Sequence, residues 1–459
     1  MSASALSETG VLKSEVSDKR RSDAITSRAT ALTSTQTTRT VRVGILGLGQ
    51  VGQAVARLAP AADRLRAAGL DVRIVGALVR DISRPRRCLK PPRLTTNPAA
   101  FLRGNYDVVI EALGDIEPAR TIVSRLLGRR VPVVSANKAL IAAHGTELAA
   151  LAARRATTLR YEASALAGVP FLGAFASRPL VSDVDRIAAV VNGTSNFILS
   201  ALDREGQSFD RALVQAQALG LTEPDPSRDL DGLDAADKLS LLASLFGWGA
   251  IANDRLDVQG IGAITPDDFA AARTLDATIK PVVCASRTDS TLLAFVGPAL
   301  VPARHPLASL AGTLSGIQFS GRYVSDLFFS GPGAGPDITA ATILDDVAEA
   351  ISVVPAHRPA RRVAKRLTFV SPATEWFVRA KFPGLVPECD AAARLFGSVG
   401  ATVLNVSDAT TGARWLELGR ATRQDLDTWL AQLAQRHRIQ CVAIRSLGSK
   451  TSCDQPGAH

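Results

Sequence analysis

The sequence lacks the residues that build disulfide or zinc frameworks. Its 459 residues include five cysteines that lie far apart and form no CxxC pair and no cluster with histidine: Cys88, Cys284, Cys389, Cys441 and Cys453. No apolar run is long enough for a membrane span, and the N-terminus has no hydrophobic segment of the secretory type. We therefore expect a cytoplasmic protein without a membrane partner, a disulfide framework or a zinc site.

Lysine is also scarce. Only nine of the 53 basic residues are lysines, and aromatic residues make up 5% of the chain. The net charge of +10 could indicate a nucleic-acid partner, but the arginines are scattered and are not interleaved with aromatic residues, so no nucleic acid is expected. A lysine inside an apolar helix face is therefore unusual in this chain, and lysine exchanges a proton more readily than arginine.

Such a lysine closes an acidic loop that runs from Gly220 to Lys238, GLTEPDPSRDLDGLDAADK. A helix is predicted from Ala235 onward, and a spacing of 100° per residue puts Lys238 on the buried face with the leucines of the next two turns. Asp234 lies one turn earlier on the same face. Because an unpaired buried charge is costly, these two groups indicate either a polar cleft that binds a substrate or an ion pair that only holds the helix in place.

An α/β domain precedes this loop. Four near-continuous apolar segments alternate with helical patterns, as in a doubly wound parallel sheet: VRVGILGLG, DVRIVGALV, YDVVIEALG and VPVVSANKAL. The residues before them are rich in Ser, Thr, Ala and Arg without apolar periodicity, and are expected to be disordered.

The first apolar segment ends in a GxGxxG turn that opens a helix, so a dinucleotide is expected there. Its candidate cofactor contacts are Gly47, Gly49, Gln50, Val51 and Gly52. At the end of the second strand, Arg80 could pair with a 2′-phosphate and Asp81 with free ribose hydroxyls. The sequence thus favours NADP and leaves NAD open, and Arg80 could equally be a solvated charge at a strand end.

A second glycine-rich turn, GPGAG from Gly331 to Gly335, precedes the helical pattern ITAATILDDVAEAI. The backbone amides of this helix N-terminus could bind the cofactor near Gly333 and Gly335, although a plain turn with a helix cap is the alternative. Residues 373–447 follow the order βαββαβ, which is the ferredoxin-like split motif.

These patterns predict the organisation of the chain. It comprises an N-terminal extension at 1–40, a dinucleotide-binding domain at 41–157, a second α+β domain at 158–350, a linker at 351–372, a ferredoxin-like domain at 373–447 and a flexible tail at 448–459.

Four motifs make residues 43–350 similar to homoserine dehydrogenase. They are SANK ending at Lys138, NGTSNFIL from Asn192, the acidic loop, and GPGAG, and they occur in the family's order. The resemblance implies a Rossmann-type NAD(P)-binding domain, a substrate and dimerisation domain, and reversible reduction of L-aspartate 4-semialdehyde to L-homoserine in threonine, isoleucine and methionine biosynthesis. It also implies a homo-oligomer. The C-terminal unit resembles an ACT domain, so an amino-acid effector such as threonine is expected.

The resemblance also implies roles for site residues. Lys238 matches the proton donor to the aldehyde oxygen, and Lys138 matches a second lysine between nicotinamide and substrate. Glu223 and Asp234 would hold the substrate ammonium, with Asp229 beside them. Further substrate contacts are expected at Asn192, Gly193 and Thr194, and further cofactor contacts at Ser135, Asn137, Lys138 and Gly220.

A monovalent-cation loop is a further implication of the resemblance. In it, the backbone carbonyls of Glu162, Ala165, Ala167 and Val169 would bind sodium. The chain departs from the family pattern at Ala165, Leu166, Ser315 and Ile338, where valine, a small residue, asparagine and proline, respectively, are usual.

Two other functions stay open. An aldehyde dehydrogenase that forms a thioester needs a reactive thiolate. Cys284 lies in the strand pattern PVVCAS and is expected to be a core residue, which argues against that class. A non-catalytic sensor of nucleotide and amino acid is the other alternative, which the presence of Lys138, Lys238 and their acidic partners disfavours.

Overall fold

The computed structural model describes residues 38–86, 92–176, 183–222, 225–249, 251–352, 367–407 and 412–447. Residues 1–37 of the predicted N-terminal extension, residues 353–366 of the predicted linker and the predicted C-terminal tail lie outside these ranges. Strand β1 begins at Arg39, two residues before the predicted boundary. Within them, no helix combines the length and the apolar character that crossing a membrane requires.

The first domain is a parallel sheet with the strand order β3-β2-β1-β4-β5-β6. Its strands are β1 (Arg39–Leu46), β2 (Leu70–Leu78), β3 (Arg93–Thr95), β4 (Val108–Glu111), β5 (Val133–Ser135) and β6 (Leu159–Arg160). Its helices are α1 (Gln50–Leu58), α2 (Asp63–Ala67), α3 (Pro98–Leu102), α4 (Ala119–Gly128) and α5 (Lys138–Arg154), followed by the short α6 (Glu162–Ala165) and α7 (Leu172–Ala176). This is the Rossmann order, so the predicted doubly wound domain is confirmed.

The first sheet extends slightly past the predicted boundary at residue 157. Strand β6 pairs in parallel with β5, so it completes the first sheet although its sequence reads as the start of the second region. Both residues of β6 are buried, and this burial holds the strand in the first domain.

The second sheet is mixed, with the order β12-β11-β7-β9-β10-β17-β14-β16-β15. Its strands are β7 (Val184–Val190), β8 (Asp257–Val258), β9 (Ala277–Arg287), β10 (Thr291–Pro302), β11 (Leu314–Gly321), β12 (Val324–Pro332), β13 (Thr368–Val370), β14 (Thr374–Lys381), β15 (Val403–Val406), β16 (Ala413–Ala421) and β17 (Gln440–Ser446). The remaining helices are α8 (Gly193–Glu205), α9 (Phe209–Ala218), α10 (Ser227–Leu230), α11 (Leu233–Leu245), α12 (Pro266–Thr274), α13 (Pro336–Ser352), α14 (Cys389–Gly397) and α15 (Arg423–His437).

Helix α13 returns the chain to the first domain. Its apolar side chains, among them Ile343 and Val347, share a core with Val43 and Ile45 of β1. The chain therefore passes between the two domains after β6, again after β12, and a third time between α13 and β13. The first two crossings touch, because the backbone of Gly168 lies against that of Gly331 and Pro332.

The C-terminal unit has the predicted order βαββαβ, and its strands lie in the spatial order β17-β14-β16-β15. The structure joins this unit to the second sheet through a short parallel pairing of β17 with β10. Strand β13, inside the predicted linker, also pairs with β10.

Buried polar contacts reinforce this junction. Asp268, at the start of α12, accepts hydrogen bonds from Trp415 Nε1 at 2.9 Å and from Arg379 Nη1 at 2.6 Å. Arg445 is 1% exposed, pairs with Asp257 and lies over the ring of Trp376. Because these charged groups are buried with their partners, the C-terminal unit is fixed on the second domain rather than loosely tethered to it.

Candidate active site

The GxGxxG turn has the geometry of a pyrophosphate site. Gly47 has φ +93°, and a Cβ there would lie 2.5 Å from the carbonyl oxygen of Ala112. Gly49 is the N-cap of α1, and a Cβ added to it would meet nothing within 4 Å. Gly47 thus permits the tight turn and Gly49 leaves open space at the helix N-terminus, where a phosphate group is stabilised by backbone amides.

A second helix N-terminus faces the same space. Residues along α1 and at the start of α13 line one cavity of about 500 Å³: Gln50, Gln53, Arg57, Gly335, Pro336, Asp337 and Ile338. Arg57 and Asp337 form an ion pair between the two helices. The structure therefore brings the starts of the two helices that follow the predicted glycine-rich turns to one cavity. The backbone amides of a helix N-terminus favour an anionic group such as a phosphate.

The SANK motif forms the start of α5. Asn137 is the N-cap, and its Oδ1 accepts a hydrogen bond from the Leu140 amide at 3.0 Å. Lys138 is the first residue of the helix. The Asn137 side-chain amide donates to Glu111 Oε1 at 3.2 Å, and Ser135 Oγ donates to Glu111 Oε2 at 2.6 Å. Residues from β4, β5 and α5 thus converge on one carboxylate, at the carboxyl edge of the sheet.

Lys138 and Lys238 meet at Asp234. Lys138 Nζ lies 2.7 Å from Asp234 Oδ1, and Lys238 Nζ lies 2.8 Å from Asp234 Oδ2. Lys238 also donates to the carbonyl oxygen of Val191 at 2.6 Å. The expected inward orientation of Lys238 and Asp234 is confirmed, since their side chains are 14% and 20% exposed. The helix begins at Leu233, two residues before the predicted start.

The charges of this cluster shift one another's proton affinity. Burial and the neighbouring ammonium of Lys138 lower the pKa of Lys238, while Asp234 and Asp229 act in the opposite direction. Burial alone would raise the pKa of Asp234, but the two lysines more than offset it and hold that pKa well below its usual range. The site therefore contains an ionised carboxylate beside a lysine that gives up its proton more easily than an exposed one.

Asn192 holds the acidic residues in place. Its Oδ1 caps α8 by accepting from the Ser195 amide at 2.8 Å, and its Nδ2 donates to Asp229 Oδ1 at 2.7 Å and to Asp234 Oδ2 at 3.0 Å. Thr194 Oγ1 donates to the carbonyl oxygen of Leu221. The side chains of Asn192 and Thr194 thus organise the loop, and Gly193 lies between them under Thr313.

Comparison with known proteins agrees with this geometry. Residues 47–162 match the family model described as homoserine dehydrogenase, NAD binding domain, and residues 170–348 match the homoserine dehydrogenase model. A homoserine dehydrogenase of Synechocystis sp. is 34% identical over 323 residues, which cover 69% of this chain and 74% of that one. The chain belongs to the homoserine dehydrogenase family.

Solved structures of the family extend the likeness. A homoserine dehydrogenase from Thiobacillus denitrificans superposes with a TM-score of 0.77 at 27% identity, covering 89% of this chain and 98% of that one. A hyperthermophilic archaeal homoserine dehydrogenase, solved in complex with NADPH, shares the fold, with a TM-score of 0.55 at 23% identity, and covers 68% of this chain and 98% of that one.

Membership of this family establishes the activity. The protein is an NAD(P)-dependent oxidoreductase acting on a CH–OH group, and it interconverts L-aspartate 4-semialdehyde and L-homoserine. The thioester-forming alternative is also disfavoured by the structure, because Cys284 is 0% exposed in an apolar core, as expected. The family models end at residue 348, so the ACT-like character of the C-terminal unit stays a prediction.

The structure places the other residues named from the homoserine dehydrogenase resemblance in different settings. Glu223 lies outside the described residues. Gly220 follows α9 with φ +68°, a conformation that a helix end explains without a cofactor contact. Ser315 is fully buried with its hydroxyl against Gly333, and Ile338 lines the cavity between α1 and α13. Neither of these two departures touches the lysine cluster.

In the segment predicted to bind a cation, two of the four carbonyl oxygens already accept hydrogen bonds from the protein. Ala167 O accepts a hydrogen bond from Thr342 Oγ1, and Val169 O accepts one from the Phe171 amide. The Glu162 carboxylate accepts three backbone amides, and its backbone amide donates to Asp346. Two buried carboxyl groups beside the loop suit a cation, so the chemistry fits, but the sodium site at Glu162, Ala165, Ala167 and Val169 stays a prediction.

The sequence did not single out Glu111. A carboxylate within the near-continuous apolar strand VVIE was the available signal. The contact between Lys238 and the Val191 carbonyl could not be predicted from the sequence, because only the fold brings these two groups together.

Proposed function

We propose that Lys238 donates the proton and that Asp234 and Lys138 set its position and acidity. The observation that supports this assignment is the meeting of both lysines on one carboxylate, with Lys238 additionally anchored on Val191. Asp234 Oδ2 already accepts from Lys238 and Asn192, whereas Oδ1 accepts only from Lys138 among the residues that the structure describes. We place the substrate ammonium on the remaining acceptor position of Oδ1, with Glu223 as its second partner.

The chemistry follows from charge development on oxygen. When bound, the reduced nicotinamide supplies the hydride to the aldehyde carbon. The carbonyl oxygen then becomes negative, and Lys238 can neutralise and protonate it to give the alcohol. Its lowered pKa makes its ammonium a better acid, and Asp234 stays ionised throughout because its pKa is low.

A direct assay tests this function. The full chain should oxidise NADPH or NADH when L-aspartate 4-semialdehyde is added, and should reduce the oxidised cofactor when L-homoserine is added. Absence of turnover with both cofactors in both directions would contradict the proposed site, since every described member of the lysine cluster is present.

We propose that NADP is preferred over NAD. Asp81, the candidate ribose ligand, is engaged by its own loop: its carboxylate accepts from the Ser83 amide at 2.8 Å and from Ser83 Oγ at 2.7 Å. Arg80 is exposed at the carboxyl end of β2, where a 2′-phosphate would lie. The NADPH complex of the archaeal relative is consistent with this choice.

The substitution Arg80→Ser tests the preference. We expect the KM for NADPH to rise about tenfold, the lower end for loss of a charged hydrogen bond, and the KM for NADH to change less than about twofold, within ordinary surface effects. Arg64→Ser, on the exposed α2, is the matched control. Equal changes in the KM values for NADPH and NADH would show that Arg80 does not bind the 2′-phosphate.

We propose that the C-terminal unit regulates activity by binding an amino acid such as threonine. Two observations support this proposal. The C-terminal unit has the βαββαβ topology, and its Trp415 donates a hydrogen bond to the buried Asp268 on α12. The segment just before α12 reaches the acidic loop, because the Ile261 amide donates to the carbonyl oxygen of Leu230. The full chain should be inhibited by threonine, and Arg379→Met should weaken inhibition relative to the exposed control Arg394→Met. Indifference to threonine, isoleucine and methionine would refute this regulation.

A homo-oligomer is also proposed, with the edge strand β12 as a surface that could pair across two copies. The molar mass of the chain in solution would test it.

A further inference from the structure

Glu111 is a buried carboxylate that none of the proposed roles uses. It is 0% exposed, at the last position of β4, and it accepts hydrogen bonds from the Leu113 amide, Ser135 Oγ and Asn137 Nδ2. Burying a carboxylate costs free energy that an apolar side chain, like those in the rest of β4, would not cost. Its contacts therefore point to what it holds.

Two of the three contacts, those from Ser135 and Asn137, lead to the start of α5. Asn137 uses its Oδ1 to cap the helix, so its Nδ2 is the part that can fix the orientation of the cap. That group donates to Glu111 and to the carbonyl oxygen of Asp115 at 2.8 Å. Ser135 Oγ donates to Glu111 and accepts from the Asn137 amide at 3.2 Å. Glu111 is thus connected to Asn137 both directly and through Ser135.

The residue that follows the cap is Lys138. Its backbone position is set by the first turn of α5, and its side chain spans the cleft to Asp234, 96 residues further along the chain. An N-cap held on two sides cannot pivot, so the direction in which Lys138 leaves the helix is fixed.

We propose that Glu111 is a positioning residue that sets Lys138 against Asp234 by locking the Asn137 cap. The inference rests on the role proposed above for the lysine cluster. No hydrogen bond or ion pair joins the described side chains of Glu111 and Lys138, so Glu111 acts through Ser135 and Asn137.

Kinetics of Glu111→Ala and Glu111→Gln test the inference. Alanine removes all three acceptor contacts, and we expect kcat to fall about 100-fold, the scale of a roughly 1 Å misplacement in an active site. Glutamine keeps an oxygen for Asn137 and Leu113 and can donate to Ser135 Oγ, so it should restore most of the lost activity. Glu147→Ala is the matched control, since Glu147 lies on α5 itself and its exposed carboxylate pairs with Arg120 and His144, away from Glu111.

The pH profile separates positioning from simple destabilisation. If Lys138 moves away from Asp234, its charge no longer depresses the pKa of Lys238, and the basic limb of kcat should move to higher pH in Glu111→Ala. A merely less stable enzyme would lose amplitude in proportion to its folded fraction, with the limb unmoved, and that outcome would overturn the proposal. So would Glu111→Ala kinetics equal to those of Glu147→Ala.

A third variant separates this inference from the function on which it rests. Lys138→Met should lower kcat at least as much as Glu111→Ala. If Lys138→Met stays fully active, the role of Lys138 in the site is wrong, whereas an inactive Lys138→Met beside a fully active Glu111→Ala rejects only the positioning role.

Discussion

Replacing Lys238 with methionine is expected to lower kcat for aldehyde reduction by about 10²–10⁴-fold, the usual contribution of a positioned acid. Methionine is nearly as long as lysine and suits a helix, but it has no ammonium group and offers no proton. Cofactor binding, followed by fluorescence titration, should be unaffected because the dinucleotide turn lies on another domain. Lys381→Met, at an exposed position of β14, serves as the control. Full activity of Lys238→Met would remove the proton donor from the proposed mechanism.

The wild-type pH profile should carry the same signature. Lys238 must be protonated to donate, so the reduction rate falls as pH rises through its pKa. Because burial and Lys138 lower that pKa, the basic limb should lie below the range of an ordinary lysine. The limb should be missing from the residual activity of Lys238→Met.

The substitution Asp234→Asn should have an effect nearly as large. It keeps the shape but leaves two ammonium groups without the carboxylate they share, and breaking a buried charge pair costs about 3–5 kcal/mol. We expect kcat/KM for the aldehyde to fall by at least about 100-fold, because both lysines lose the group that positions them and a misplacement of roughly 1 Å in an active site costs about that factor. The control is Asp237→Asn on the same helix, whose carboxylate pairs with Arg228 at the surface.

Asp234→Asn should also move the pH profile, in the direction opposite to Glu111→Ala. The attraction that raises the pKa of Lys238 is lost while the repulsion from Lys138 stays, so the basic limb should shift to lower pH. An unmoved limb, or one that shifts upward, would mean that Asp234 does not control the lysine.

Local patterns predicted the parts of this fold that depend on neighbours in the chain. Hydrophobic periodicity located α11 and the inward side of Lys238, and near-continuous apolar runs located β1, β2, β4 and β5. The alternation of short strands and helices also predicted the βαββαβ unit. In each case one face or both faces of the element are buried, and the buried positions are apolar residues at a regular spacing in the sequence.

What the sequence did not reveal depends on distant partners. Lys138 and Asp234 meet across 96 residues, and the contact of Lys238 with the Val191 carbonyl involves a backbone group that any residue could supply. The pairing of β17 with β10, and the buried Arg445 beneath it, likewise join units that look separate in sequence. The charges at such junctions read as surface residues until their partners are known.

Two of the chain's passages between the domains touch each other, and this contact affects how the active-site cleft can open. The segments after β6 and β12 meet at Gly168 and Gly331, so these two covalent links lie side by side. Adjacent links hold the domains together at that point but allow rotation about it, so we expect the cleft to open by a hinge motion rather than by sliding. Lys138 comes from the first domain and Lys238 from the second. Opening of the cleft would therefore separate the two ammonium groups that Asp234 joins.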